Sequence, residues 1–389
     1  MTFTNSDFDT LTLRAWLRFA NIEFSPRRMA LLIAQFQRCP QAILEATDAE
    51  LGVAGCTARH VARLRDAKYK ETDRQISWVE KNGVRLVFQE SADYPPLLRE
   101  ILDAPPLLFV RGQWDALQHG VGMVGSRNAT TYGKASAERI AKELAERGLL
   151  IVSGGAVGID AAAHRGALSG GGPTLAVLGC GLDVDYPKEN RALFEQIMKQ
   201  GALVSEYPIG AQPETWRFPN RNRLISGIAL GVIVVEAPLK SGALITSRTA
   251  AEQGRPVMTV PGNIDRPSSV GSNLLLRDGA IPILETDDVL HCLNLVTLPA
   301  RREHQSILPL DSSAFDLPAD SPAPPKTPLP RLTEIQNRLL DNLSRTPLHI
   351  DALTQTAGLD ATQASVEMFF LEMNGFIRKL PGNSYIRID

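Results

Sequence analysis

The sequence predicts an α/β protein: a doubly wound, Rossmann-like parallel sheet, flanked by a small N-terminal helical domain and a C-terminal winged helix. Three observations carry this. From residue 121 onward, short continuous apolar runs alternate with segments of helical spacing. Strands that are apolar throughout are buried on both faces, as in a parallel sheet covered by helices. Before these runs, apolar residues recur at helical spacing between proline breakers. After them, a proline-rich stretch leads into a second helical segment that ends in a strand pair.

The helical domain is expected over 1–78, of SAM-like or helix-hairpin-helix-like kind. Leu13, Trp16, Leu17 and Phe19 recur at helical spacing, as do Met29, Leu32, Ile33 and Phe36. Ser25-Pro26 and Cys39-Pro40 separate the helices. Arg27, Arg28, Arg59, Arg63 and Arg65 have two readings, phosphate contact or an ordinary solvated face, since acids are interspersed.

The central domain is expected over 79–295. Its strands fall at 84–88, 107–110, 121–124, 149–152, 174–178, 203–205, 232–235 and 257–260. Helices are expected at 134–147, 159–168, 190–199, 223–228 and 245–253. Residues 296–330 are rich in proline and serine and poor in large apolar residues, and read as a linker. The segment 331–389 reads as three helices and a wing. Leu332, Ile335, Leu339 and Leu343 form one apolar face. A second helix covers 351–357, closed by Gly358. A third starts near Ala361 with Val366, Phe369, Phe370 and Met373 inward. The wing strands are 376–380 and 384–388.

Size and charge narrow the function. A chain of 389 residues exceeds one typical domain. Its net charge of -2 means that any nucleic-acid contact must rest on local positive charge. The cysteines at 39, 56, 180 and 292 form no CxxC pair and no zinc-ligand spacing, so reduced thiols and no metal are expected. No signal pattern opens the chain, and no uncharged apolar run has membrane-spanning length, so a cytoplasmic protein without membrane contact is expected.

In a doubly wound sheet the ligand lies beyond the carboxyl ends of the strands. The residues that follow those ends are Gly125-Ser126-Arg127, the run 153–160 with Gly154, Gly155 and Gly158, Gly179-Cys180-Gly181, the run 237–243 with Lys240, Ser241 and Gly242, and Pro261-Gly262-Asn263. Small residues there let backbone N–H groups and helix N-termini approach a phosphate. Tight strand-to-helix turns need glycine in any case, but several such loops converge on one edge, which favours anion binding. The Walker pattern is absent and no loop matches GxGxxG in full, which argues against nucleotide hydrolysis and against a bound cofactor.

The segment 216–223 adds two aromatics, Trp216 and Phe218, three arginines, Arg217, Arg221 and Arg223, and the amides Asn220 and Asn222, just before an expected helix. Guanidinium forks suit phosphate and aromatic faces suit unstacked bases, which is single-strand chemistry. The competing reading is a loop closed by buried rings with solvated arginines. Asp160 and His164 share a helical face, but such an Asp more often caps its helix and such a His packs locally. Asp183 and Asp185 are turn acids. No catalytic constellation assembles from these loops.

In order, the motifs GSRxxTxYG (125–133), SGGAxGIDxxAH (153–164), VLGCGLDVDYPKEN (177–190), SEYPxG (205–210), FPNRNRLISG (218–227), VVEAxxKSGALIT with isoleucine before it at 233, and VPGN (260–263) closely resemble the DNA-processing protein A family, DprA, also called Smf. The resemblance implies a non-catalytic protein that binds single-stranded DNA entering in natural transformation, protects it and helps load the RecA recombinase. It implies a homodimer formed through the central domain. It matches Arg127 to the family's DNA-contacting arginine, Phe218 to its base-contacting aromatic and Lys240-Ser241-Gly242 to the loop lining the same pocket. The third C-terminal helix, near 360–374, carries Asp360, Glu367 and Glu372 and no Lys or Arg, which argues against duplex reading. A nucleotide-binding enzyme of a related fold and a transcription regulator acting through the winged helix are the alternatives.

Overall fold

The computed structural model describes residues 10–22, 24–66, 72–114, 119–295, 332–343, 348–357, 364, 367–368, 370–371, 376–380 and 384–387. The chain divides into two compact units, Met1–Pro299 and Ala300–Asp389.

Six short helices open the first unit: α1 (Thr10–Ala20), α2 (Pro26–Gln35), α3 (Pro40–Glu45), α4 (Asp48–Val53), α5 (Ala58–Arg65) and α6 (Asp73–Lys81). Pro26 and Pro40 begin helices rather than merely interrupting them, because the first helical position needs no backbone N–H donor. Thr47 and Thr57 close capping boxes at the starts of α4 and α5. Arg63 and Arg65 donate to backbone carbonyls at Ile22 and Leu44, so these two arginines brace the helical layer itself.

The sheet and its helices follow: β1 (Val84–Phe88), α7 (Pro96–Arg99), β2 (Leu107–Gly112), β3 (Gly120–Val124), α8 (Thr131–Glu146), β4 (Leu150–Ser153), α9 (Ile159–Ser169), β5 (Thr174–Val177), α10 (Arg191–Gln200), β6 (Ala202–Ser205), α11 (Arg217–Ile228), β7 (Ala229–Val234), α12 (Gly242–Glu252), β8 (Val257–Thr259), α13 (Val270–Arg277), β9 (Ile281–Pro282) and α14 (Thr286–Cys292). The strand order is β1-β2-β6-β5-β4-β3-β7-β8-β9. β1 and β2 run antiparallel at one edge, and β6 through β9 are parallel. The chain winds from β3 outward to β6, then crosses back to add β7, β8 and β9 on the other side of β3. This reversal is the topological switch of a doubly wound sheet.

Alternate strand residues bury against opposite layers. Val121, Met123 and Ile151 pack in the core that contains Ala137, Ile140 and Ile159 of α8 and α9. Leu150, Val152 and Val232 pack in the core with Leu224 and Ile225 of α11. A third core joins Leu17, Phe19 and Leu32 of the helical layer to Leu86, Phe109 and Phe194. Each such fully buried side chain contributes about 1.5–3 kcal/mol. The Trp16 and Phe88 rings meet at 5.6 Å, and α6 runs through residue 78. The helical layer and the sheet therefore share one core across the boundary expected there.

Three helices start earlier than the sequence pattern predicts, α8 at Thr131 rather than 134 and two others. α11 begins at Arg217 rather than near 223, and α12 at Gly242 rather than 245. Pro219 sits in the first turn of α11, where its missing N–H costs nothing. Residues 217–222, expected ahead of the helix, are its opening turns.

In the second unit, α15 (Glu334–Asp341), β10 (Leu348–His349), α16 (Ile350–Ala357), β11 (Ile377–Leu380) and β12 (Ser384–Arg387) form a winged helix with sheet order β10-β12-β11. The wing thus gains a third short strand. Of the third helix, Ala364, Glu367, Met368, Phe370 and Leu371 are described, and all five are helical. Ala364, Met368 and Leu371 are buried, at i, i+4 and i+7, whereas Phe370 is exposed, contrary to the expected inward face. Its neighbour Leu371 takes the core position, about 100° away around the helix. Glu367 accepts the Gln336 amide at 2.7 Å, so that acid is turned to α15. Asp360, Val366, Phe369, Glu372, Met373 and the linker 296–330 lie outside the described residues.

Candidate nucleic-acid interface

A crevice opens beyond the carboxyl ends of β3, β4 and β5. It is lined by Arg127, Gly154, Ala156, Val157, Leu178, Gly179, Tyr186, Pro187, Phe218 and Arg221.

The loop after β3 is clamped from behind. The Ser126 N–H donates to the Glu236 carbonyl at 2.7 Å, and the Ser126 carbonyl accepts the Ile159 N–H at 3.1 Å. Ser126 Oγ accepts the Asn128 N–H, so its hydroxyl is engaged locally. The Glu236 carboxylate takes the N–H and hydroxyl of Thr130, the N-cap of α8. Gly158, with φ +86°, caps α9, and a Cβ there would collide with the carbonyls of Ser126 and Arg127. Gly125 has no room for a Cβ against Ile159. With its backbone held this way, Arg127 stands exposed, and among the described residues it makes no ion pair.

The Arg127 guanidinium lies 5.1 Å from the Phe218 ring centroid. Phe218 projects from the first turn of α11, half-buried, and its ring lies on Gly179, where a Cβ would come within 2.9 Å. Tyr186 completes an aromatic wall, its ring centroid 5.5 Å from that of Phe218. Tyr186 escaped the sequence reading of the site. Its signal was an aromatic in the loop after the third glycine turn, ahead of a helix.

Below this wall Arg221 is buried and ties α11 to the sheet. Its guanidinium donates to the carbonyls of Gly154 and Val177. A Cβ on Gly154 would strike Arg221 and the Asp160 carboxylate. The glycine is thus required by the protein's own packing, the alternative noted for such turns. Burial pushes the Asp160 carboxyl above its ordinary range, against the pull of Arg221, and draws Arg221 below its own. Gly155 backs onto Phe194, and its carbonyl accepts the Asn190 amide.

The three arginines of α11 are therefore not three phosphate forks. Arg217 is buried, donates to the Gln212 carbonyl, pairs with Glu214 and stacks on Tyr207 and Trp216. Arg223 is buried between Asp103 and Glu206. At 3.6 residues per turn 217 and 221 lie on one side of the helix, each engaged by its own protein partners, and 223 points about 160° away from 221, which a loop reading could not show. Asn220 faces the side of Arg223, away from the crevice. Asn222 bridges to the Gly242 carbonyl at 3.4 Å and so joins the crevice helix to the loop of Lys240, Ser241 and Gly242. Lys240 and Gly242 are exposed there, and Ser241 caps α12.

Acid–base groups near the crevice are sealed or engaged. His164 is fully buried, its Nδ1 bonded to Thr174 Oγ1 at 2.7 Å. The Thr174 hydroxyl donates to the Ile151 carbonyl, so His164 Nδ1 carries the proton and Nε2 is left without a partner. Burial draws the His164 pKa down to about 3. The Cys180 thiol is buried and pushed up to about 11. Asp183 accepts the Gly210 N–H, and Asp185 pairs with Arg191. Among the described residues, no group of His, Cys, Asp or Glu is placed to hold a metal, and no helix is long and apolar enough to cross a membrane.

A doubly wound sheet with an aromatic crevice, Arg127 over its ring, beside the switch point defines a Rossmann-like α/β protein. Comparison with known proteins is more specific. Residues 85–294 match the family model for DNA recombination-mediator protein A, and residues 323–383 match the DprA winged helix domain. The chain belongs to the DNA recombination-mediator protein A family. It is 34% identical over 381 residues to protein Smf of Escherichia coli K12, which covers 96% of this chain and 95% of that one. It is 48% identical over 198 residues to DNA processing protein DprA of Streptococcus pneumoniae, covering 51% and 70% of the two chains. The X-ray structure of DprA from Streptococcus pneumoniae aligns with a TM-score of 0.62 and 35% identity, over 75% of this chain and 98% of that one.

Proposed function

We propose that the crevice binds single-stranded DNA and leaves it chemically unchanged. The observation that carries this is Arg127 held over the half-buried ring of Phe218 at an open crevice. A base stacks on a ring whatever its identity, and an exposed guanidinium reaches the adjoining phosphate. A polymer suits an open groove with Lys240 on the neighbouring loop. The sealed state of His164 and Cys180 supports a binding role over a chemical one. Family membership supports a place in DNA recombination, with protection of incoming single strands in natural transformation, loading of RecA, assembly as a homodimer through the sheet domain and a cytoplasmic setting.

The test is a titration of single-stranded DNA, duplex and mononucleotide, without metal or ATP. Tightest binding is expected for the single strand, with affinity falling steeply as salt rises. Equal affinity for single strand and duplex, preference for the mononucleotide, or an absolute need for ATP overturns the reading.

A further inference from the structure

α11 carries two opposed faces. At 3.6 residues per turn, Phe218 and Arg221 point about 160° away from Trp216, Asn220 and Arg223. The first pair lines the crevice. The second set lines a separate groove, walled by the helical layer through Trp16 and Phe24 and by Tyr207 on the sheet side.

This groove has the parts of a base pocket. Trp216 is 43% exposed, stands edge-on to Tyr207 at 6.2 Å and carries Arg217 over its ring at 5.1 Å, so its exposed part is what a base would stack on. At the floor, Arg223 is only 6% exposed, and it pairs with Asp103 at 3.2 Å and with Glu206. Those pairs leave atoms over. Arg223 Nη1 and Glu206 Oε1 are buried without hydrogen-bond partners. They belong to the same guanidinium and carboxylate as the joined Nη2 and Oε2 atoms, so the floor keeps a spare donor and a spare acceptor. Buried polar atoms in that state destabilise a protein unless a ligand or water completes them. The Watson–Crick edge of each of the four bases offers an acceptor beside a donor, so one such site serves any base.

We propose that this groove is a second base pocket. It takes an unstacked base from the same strand that rests a nearby base on Phe218, and it rests on the single-strand reading of the crevice. The two pockets lie about one helix diameter apart, 10–12 Å, across the N-terminal half of α11. Positive charge is near on α2, where Arg27 is exposed next to the groove-lining Pro26. A peptide carrying an aromatic side chain is the other occupant that such walls admit. The spare donor and acceptor at the floor, and the proposed DNA site on the opposite face of the same helix, favour the base.

The experiment is fluorescence anisotropy on the full chain with oligothymidylates, one too short to span α11 and one long enough to cross it. Trp216→Ala is expected to weaken binding of the long oligonucleotide about tenfold and leave the short one unchanged. Phe218→Ala is expected to weaken both. Asn220→Ala, a smaller change on the same face, is expected to act only on the long one, and it stands in should Trp216→Ala lower the melting temperature. If the wild type binds while both groove variants match it at every length, the second pocket is overturned and the crevice stands. If the wild type binds no single strand at all, the crevice reading falls, and the groove with it.

Discussion

Arg127 and Arg221 line the same crevice in opposite physical states. Arg127 sits on the loop after β3, exposed, its charge offered to solvent above Phe218. Arg221 sits one turn into α11, buried, its donors given to the carbonyls of Gly154 and Val177. One guanidinium is open to solvent, and the other holds together the strand ends that shape the crevice. Arg217 and Arg223 belong with Arg221. A count of arginines therefore overstates the charge on offer, and the two regions are separable by experiment.

The largest effect is expected on the buried side. Arg221→Ala removes the counter-charge of Asp160 and two hydrogen bonds to the sheet, and should lower the unfolding free energy by about 3–5 kcal/mol. Chemical denaturation measures it. A loss below about 1 kcal/mol would place Arg221 with the solvated arginines and dissolve the contrast.

The same buried layer responds to pH through His164. Its pKa is about 3 in the folded chain against about 6.5 unfolded. Below pH 6.5 the unfolded state takes the proton and the native state does not, so acid favours unfolding. This stability is full above pH 6.5 and drains away as pH falls toward 3, by at most about 1.4 kcal/mol per unit. Asp160 acts in the opposite sense, since burial raises its pKa and the native state takes its proton first. His164→Asn keeps a polar group for Thr174 but cannot be protonated. Its urea midpoint should fall less than that of wild type between pH 7 and 4.5, and parallel curves would count against the assignment.

On the exposed side the effects move from stability to binding. Phe218→Ala should cost about 1–3 kcal/mol of single-strand affinity with little change in salt dependence, because stacking releases few counterions. Circular dichroism and melting show whether the fold is intact, and unfolding of the variant would turn Phe218 into a core residue. Smallest is Arg127→Ala. It should weaken binding across sequences and reduce the salt slope by about 0.7, one phosphate contact on a single strand, with stability within about 0.5 kcal/mol of wild type. An unchanged slope would leave Arg127 as a partner of the ring alone.

Much of the architecture was legible because it depends on local patterns. Apolar runs at 121–124, 149–152 and 174–178 mark strands buried on both faces, and β3, β4 and β5 fall there within one or two residues. Loops after parallel strands must reach the carboxyl edge, so Arg127 and the glycines of 153–160 were placed at the crevice before any contact was visible. The family motifs also stand in the sequence, in order and spacing.

Other features required the tertiary structure. Whether an arginine meets solvent or a carbonyl depends on which helix face it occupies and on what packs there. The sequence pattern starts this helix near 223, so Arg217, Arg221 and Arg223 read as one cluster, when each is held by its own buried partners and Arg223 faces the opposite side from Arg221. Phe370 and Leu371 compete for one core position, and adjacent apolar residues do not say which wins. The acceptors that hold Arg221 lie 44 and 67 residues away along the chain. Asp103, one of the two acids that hold Arg223, likewise comes from a distant segment. The sequence by itself determined the sheet, its edge and the residue types available there, because periodicity and turn chemistry are local. Only the tertiary structure decided which charges remain free, because burial is a property of what long-range packing brings together.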